Sequence, residues 1–203
     1  MKHAICVGIT GASGAVYAVR LLEVLRDAGR EVHLAISPAG RDVIRQELDL
    51  AVDLDNFSAE QLLPTGDDRG RIRYYHWQDF MAPMASGSFL TAGMVICPTS
   101  GATLSAVATG AANNLIQRAA EVHLKERRRL ILVPRETPLS LTHIENMRRA
   151  AEAGAIILPA SPGWYHGVRA VGDLVDFVTA RICDQLGVEH QLTKRWGTEE
   201  KDQ

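Results

Sequence analysis

The chain lacks the sequence features of several large functional classes. Aromatic residues make up only 5% of its 203 residues, too few for the stacking platforms that bind single-stranded nucleic acid. Basic and acidic residues nearly balance at 22 and 24, and the two signs are interspersed along the chain. That pattern argues against a surface for nucleic acid or for an anionic membrane. We therefore expect neither as a partner.

Cysteine and long apolar runs are also scarce. Cys6, Cys97 and Cys183 lie in apolar stretches without paired spacing, which is typical of reduced core residues. No apolar run approaches the length that spans a bilayer, and no signal peptide is evident. These absences predict a cytoplasmic protein. The seven histidines show no metal-ligand spacing, so we predict no metal. The sequence also lacks the Gly-x-Ser-x-Gly motif of the α/β-hydrolases, which argues against that class of enzyme.

What the chain does contain is an alternation of apolar strands with amphipathic helices. Strands are predicted at 3–9, 31–36, 71–76, 93–97, 129–134 and 155–159, and helices at 15–28, 39–49, 101–127, 141–153 and 171–186. This order predicts a single domain over 1–203 with a three-layer, Rossmann- or flavodoxin-like α/β fold. Its mostly parallel sheet has helices on both faces. The segment 50–70 is too weakly patterned to place.

The first strand leads into small turn residues, Thr10–Gly14, and a helix follows at once. Free N–H groups and the helix dipole make such a turn a site for phosphate. A dinucleotide fingerprint would need glycine at Ile9, and the second strand ends at Ser37 where NAD-binding chains carry an acid. The sequence therefore favours FMN over NAD.

Four charged residues fall on the apolar faces of predicted helices. Glu47 lies within the apolar arc of the second helix, and a buried carboxylate there must be paired, protonated or in a cleft. Arg118 and Lys125 share one apolar stripe, which favours a phosphate between them unless their stems extend to water. Arg181 interrupts the last helix in the same way, and it either binds phosphate or pairs with an acid.

Further candidates follow the later strands. Arg135 and Glu136 end the fifth strand, where a guanidinium suits a phosphate and a carboxylate can transfer a proton. The alternative is that they cap the next helix. Tyr165 can donate a hydrogen bond to a phosphate. The segment 81–89 mixes apolar and small residues, and is either a loop packed under its neighbours or a lid or subunit contact.

Taken together, five motifs resemble the UbiX-type flavin prenyltransferases: Gly8–Ala15, Cys97–Ser105, Asn113–Ile116, Leu130–Glu136 and Pro162–His166. The resemblance implies a homododecamer with sites between subunits. It also implies that dimethylallyl phosphate alkylates reduced FMN at N5 and C6, giving prenylated FMN for UbiD-type decarboxylases. We expect the tail 187–203 to pack at a subunit interface.

The resemblance also implies residue roles. It assigns catalysis to Ser13, Glu47 and Glu136. It assigns FMN binding to Gly11, Ala12, Ser13, Ser37, Ser100, Gly101, Ala102, Thr103 and Arg135, and donor binding to Arg118, Lys125, Tyr165, Arg181 and Trp196. The paired-aspartate magnesium motif of diphosphate-using prenyltransferases is absent, and a monophosphate donor would make that metal unnecessary.

Three alternatives stay open. An FMN-dependent decarboxylase of the same fold would act on a peptidyl or pantothenoyl cysteine, but its clamp motif and catalytic histidine are not evident. A direct aromatic-acid decarboxylase is the second alternative. A non-catalytic flavin carrier is the third, and it would leave the cations and Glu47 without a task.

Overall fold

The computed structural model describes residues 3–63, 70–165 and 167–193. Its strands are β1 (Ala4–Ile9), β2 (Glu31–Ile36), β3 (Arg71–Tyr74), β4 (Thr91–Thr99), β5 (Leu130–Pro134) and β6 (Ile156–Ile157). Its α-helices are α1 (Ala15–Asp27), α2 (Pro38–Leu48), α3 (Gly101–Thr109), α4 (Leu115–Lys125), α5 (Leu141–Glu152) and α6 (Val171–Leu186). Short 3₁₀ turns cover Ala59–Gln61 and Pro83–Ala85.

The six strands form one parallel sheet in the order β3-β2-β1-β4-β5-β6. The chain starts in the middle, builds outward to β3, and then crosses to the other side of β1. The strand order therefore reverses between β1 and β4. In open α/β sheets ligands bind beside this reversal, at the carboxyl ends of the strands. The predicted fold class is confirmed.

Alternate side chains of the strands supply two apolar cores. Ile5, Val7 and Ile9 face the layer formed by α1, α2 and α6, whereas Cys6 faces the layer formed by α3, α4 and α5. Successive side chains of a strand point to opposite faces, so a strand covered on both sides reads as a continuous apolar run. This is why the central strands were readable from the sequence.

The three cysteines are buried and none forms a disulfide. Burial raises the pKa of the Cys6, Cys97 and Cys183 thiols to about 12. They are therefore uncharged core residues at neutral pH, as their apolar neighbours in the sequence predict.

One long helix predicted over 101–127 is wrong, because the chain forms α3 and α4 there. Gly110 ends α3 in the left-handed region with φ 72°, a conformation that favours glycine. Asn114 starts α4, and its side-chain oxygen accepts a hydrogen bond from Gln117 N at 3.0 Å. A helix stop and a helix start thus stand side by side. The other helices match their predicted ranges within one residue at each end.

The segment 81–89 packs beneath its neighbours for part of its length. Ala82, Met84 and Ala85 are buried in the α4 core, which fits the packed-loop interpretation. Met81 instead leaves 92% of its surface exposed, so a contact with another subunit stays open for that residue.

None of the helices in the described ranges combines the length and apolarity that a bilayer crossing requires.

The predicted interface tail begins by packing on its own subunit. Val188 is buried, and His190 Nε2 lies 3.2 Å from Asp184 Oδ1 on α6. Residues 194–203 of the tail, including Trp196, lie outside the described residues.

A buried threonine joins β1 to β4 where the strand order reverses. Thr10, only 2% exposed, donates through Oγ1 to Pro98 O at 2.7 Å and accepts from Ser100 N at 2.8 Å. Thr99 joins β4 to β5 in a similar way, since its Oγ1 accepts from Val133 N at 2.9 Å. These side-chain bonds fix the loops that leave the sheet, where backbone pairing between the strands becomes irregular.

We expect Thr10→Val to lower the free energy of unfolding by about 2 kcal/mol, because it leaves the partly buried Ser100 N without its acceptor and leaves Pro98 O with only the longer bond from the backbone N of residue 10. Urea unfolding measures the loss. The control is Thr109→Val on the surface of α3, whose hydroxyl donates only to helical carbonyls and which should cost less than about 0.5 kcal/mol. Equal losses for the two variants would contradict the bridging role of Thr10.

Candidate functional site

A carboxylate from α2 closes the turn that follows β1. Gly14 precedes α1 with φ 110° and no side-chain cap, and only glycine adopts that backbone conformation easily. Glu47 Oε2 accepts hydrogen bonds from Gly14 N at 2.9 Å and Ala15 N at 2.8 Å. A negative charge is favoured at the positive end of the helix dipole. Two N–H groups expected to face a phosphate therefore bind the protein's own carboxylate.

The charge of Glu47 is stabilised by its contacts. Burial raises the pKa of the Glu47 carboxyl, but hydrogen bonds from Ser13, Gly14 and Ala15 and the nearby charge of Arg135 outweigh that effect. The pKa thus lies below its usual value and the group is a carboxylate at neutral pH. The helical wheel placed Glu47 in the apolar arc; its side chain is instead exposed, because its stem carries the carboxylate out to the α1 terminus.

Arg135 reaches the same turn from the end of β5. Its Nε donates to Ser13 O at 3.3 Å, so the residue contacts the turn after β1 directly. Glu136 accepts a hydrogen bond from Thr137 N at 3.1 Å. Neither residue caps α5, because Ser140 and His143 do so. The capping alternative for Arg135 and Glu136 is therefore wrong.

The amino termini of α2 and α3 complete the crevice. Ser37 caps α2 and accepts from Gly40 N at 3.0 Å. Ser100 caps α3, accepting from Thr103 N at 3.3 Å and donating to Thr103 Oγ1 at 3.1 Å. A Cβ on Gly11 would lie 2.4 Å from the Cβ of Ala39, so the first turn fits against α2 only with glycine there. Three helix amino termini, which bind anions readily, thus surround this edge of the sheet.

The predicted donor-phosphate cations are not brought together within one chain. Arg118, near the start of α4, pairs with Glu121 at 2.8 Å and donates to Ala85 O. Lys125 pairs with Glu126 at the other end of the helix, about 10 Å from Arg118 along the helix axis at 1.5 Å per residue. Because α4 leads back toward the start of β5, Lys125 lies at the sheet edge opposite to Ser13. Both side chains are partly exposed, at the rim of the apolar face.

Arg181 stands apart from α4 on the outer helix α6. Its side chain is 53% exposed and pairs with Asp184 at 3.1 Å, so the acid-pair alternative describes this chain by itself. Arg181 also lines a cavity of about 250 Å³ with Phe177 and the end of β6. Tyr165, 70% exposed, meets Phe177 edge-on with ring centroids 5.8 Å apart. Tyr165 and Arg181 therefore share one aromatic neighbour.

Two residues of this region were not singled out from the sequence. Thr10 bonds to partners about ninety positions away, and nothing local indicates that contact. His143 had a readable signal, since Ser140 stands three positions before it as in a capping box.

Among the described residues no group of three or more His, Cys, Asp or Glu could hold a metal ion, and metal-free activity stays a prediction.

Comparison with known proteins shows a close relationship. The Flavoprotein family model matches residues 1–183. The chain is 52% identical over 195 residues to flavin prenyltransferase UbiX of Pseudomonas aeruginosa, covering 95% of this chain and 93% of that protein. The solved structure of AnUbiX (PadA1) in complex with FMN and dimethylallyl pyrophosphate superimposes with a TM-score of 0.85 at 35% identity, covering 98% and 100%. A dodecameric FMN-dependent UbiX-like decarboxylase from Escherichia coli O157:H7 gives 0.81 at 38% identity, covering 97% and 99%.

The hydrogen bonds to Glu47 predict a pH-dependent stability. Because the folded pKa of its carboxyl lies below the usual value near 4.5, its contribution is complete above that pH and is lost as the pH falls through the folded pKa. We expect Glu47→Gln to be less stable than the parent at pH 7, and the difference to shrink at about pH 3. Urea unfolding at both pH values tests this, with Glu189→Gln at an exposed position as control. A difference that does not change with pH would be evidence against the carboxylate cap.

Proposed function

Because the chain belongs to the UbiX family of flavin prenyltransferases, we propose that it transfers a dimethylallyl group from dimethylallyl phosphate to N5 and C6 of reduced FMN. The observation that carries this proposal is 52% identity to a flavin prenyltransferase over nearly the whole of both chains. The curated names of several such relatives favour prenyl transfer over the decarboxylase and carrier alternatives. We also propose a single domain, and prenylated FMN as a product released to a UbiD-type decarboxylase in the cytoplasm.

The crevice at the carboxyl ends of the strands fits FMN by the chemistry of its donors. Helix amino termini and a guanidinium suit a phosphate and carbonyl oxygens. We assign the flavin to Gly11–Ser13, Ser37, Ser100–Thr103 and Arg135. Gly101 and Ala102 would contribute only backbone contacts. Reduced FMN, when bound, supplies the nucleophilic nitrogen of the reaction.

Ser13 and Glu47 form a short route for a proton. The hydrogen bond between their side chains lets the Ser13 hydroxyl give its proton to the ionised Glu47, and Ser13 Oγ can then accept a proton from the bound substrate. Arg135 contacts the Ser13 backbone and helps to keep Glu47 ionised. Glu136, the residue after Arg135, is our candidate for proton transfer on the donor side.

The donor phosphate needs positive groups arranged before the bond to it breaks. In the chain by itself three candidate cations are paired with acids on their own helices or immediately after them: Arg118 with Glu121, Lys125 with Glu126 and Arg181 with Asp184. We propose that they meet one phosphate only when subunits associate, each contributing part of the set, with Tyr165 as a further donor. The dodecameric state of a related protein supports this arrangement.

The direct test is anaerobic incubation of the protein with reduced FMN and dimethylallyl phosphate, followed by mass analysis of the flavin. We expect a flavin heavier by one dimethylallyl unit less the displaced hydrogen, and none when either substrate is omitted. An unmodified flavin, together with decarboxylation of a cysteine peptide supplied in a parallel incubation with oxidised FMN, would favour the decarboxylase alternative.

For Glu47→Gln we expect unchanged FMN affinity and a rate of prenyl transfer lower by about tenfold or more, because the amide cannot take the proton from Ser13. Stopped-flow absorbance of the flavin and an FMN titration separate the two effects. Glu189→Gln serves as the control for removing a carboxylate. Parent-like transfer rates would remove Glu47 from the mechanism.

Mixed assemblies test whether subunits share the site. Glu47→Gln and Lys125→Met subunits should each be slow alone, because each lacks one group of every site. After dissociation, mixing and reassociation, we expect activity well above the sum of the two, since some sites then combine native Glu47 with native Lys125. Activity equal to that sum would place both groups in one subunit's site.

A further inference from the structure

His143 closes the start of α5 with one of its two ring nitrogens. Ser140 precedes the helix, and its Oγ accepts from His143 N at 3.2 Å. In return, Ser140 N donates to His143 Nδ1 at 3.3 Å, and the Ser140 hydroxyl lies 3.1 Å from the same nitrogen. This is a reciprocal capping box with histidine in the place usually taken by Glu or Gln.

The cap fixes where the imidazole carries its proton. A backbone N–H can only donate, so Nδ1 must accept from Ser140 N. In a neutral imidazole one nitrogen accepts and the other carries hydrogen. The proton of His143 is therefore on Nε2, which becomes a hydrogen-bond donor.

The donor nitrogen lies beside the first residue of α3. A Cβ built on Gly101 would lie 3.0 Å from His143 Nε2, so the imidazole edge passes directly over the helix start. Among the residues that the structure describes, none accepts a hydrogen bond from Nε2. An N–H donor is thus held against the Ser100–Thr103 turn, and glycine at 101 leaves room for it.

We propose that His143 is a flavin-binding residue whose Nε2–H donates a hydrogen bond to an acceptor oxygen of FMN bound at the Ser100–Thr103 turn. This inference rests on the proposed function, because the flavin is the group that brings such an oxygen to the start of α3. The oxygen belongs either to the phosphate or to a ring carbonyl, and both present the same chemistry to an imidazole N–H. His143 thereby joins the cap of α5 to the cofactor.

The test compares flavin affinities by fluorescence titration with oxidised FMN and with riboflavin, which has no phosphate. His143→Asn keeps a short side chain whose oxygen can still accept from Ser140 N but cannot extend to Gly101. Ser140→Ala is the matched control, since it weakens the α5 cap and leaves the imidazole in place. Circular dichroism and thermal unfolding check that both variants fold. The ¹⁵N shifts of the His143 ring in the flavin-free parent report its tautomer.

We expect His143→Asn to weaken FMN binding by about five- to tenfold, the effect of one lost hydrogen bond, and Ser140→Ala to stay within about twofold of the parent. An equal loss for riboflavin assigns the bond to the ring, and a loss for FMN alone assigns it to the phosphate. Unchanged affinity in His143→Asn, an equal loss in Ser140→Ala, or a proton on Nδ1 would overturn the role of His143. A parent protein that binds no FMN would instead overturn the proposed function itself.

Discussion

The side-chain hydrogen bonds of Thr10 are the constraint on which the crevice depends. By joining the ends of β1 and β4 through Pro98 and Ser100, Thr10 holds two loops together at the point where the strand order reverses. These loops lead directly into α1 and α3, so they fix where the two helices begin. One of these bonds is buried and the other partly buried. Both partners are backbone atoms, so the bonds fix the positions of the loops whatever side chains those loops carry. Any ligand at this edge of the sheet meets a preformed frame rather than two independent loops.

Helix amino termini attract anions. In this chain the α1 terminus binds a carboxylate of the protein itself, whereas the α2 and α3 termini are capped by serine. Glu47 satisfies two N–H groups at α1, which leaves an ionised carboxylate next to the Ser13 hydroxyl. At α2 and α3 the caps are neutral serine side chains rather than a carboxylate, so these termini suit the oxygens of a ligand. The same physical effect thus supplies a proton acceptor in one place and a binding surface in another. In both cases the positive end of a helix contributes to the candidate site.

The sequence predicted elements whose signals are local and missed contacts that are not. Central strands such as β1 are buried on both faces, so their apolar runs stand out. The break between α3 and α4 was missed, although Gly110 and Asn114 carry ordinary stop and start signals, because the apolar pattern continues through them. Glu47 was placed by the direction of its Cβ, yet a long side chain can carry its charge elsewhere. Arg118, Lys125 and Arg181 were grouped from the apolar arcs of separate helices. Those arcs do not show how the helices are arranged, and within one chain each of these cations pairs with an acid.

The uncharged state of the three cysteines affects how readily their thiols are alkylated or oxidised. An allylic phosphate alkylates soft nucleophiles, and reduced flavin exposed to oxygen generates peroxide. A thiol reacts with either agent mainly as the thiolate, and burial with a pKa of about 12 keeps Cys6, Cys97 and Cys183 protonated. The three thiols therefore present almost no thiolate to an alkylating agent or to peroxide, which protects these core positions from covalent modification.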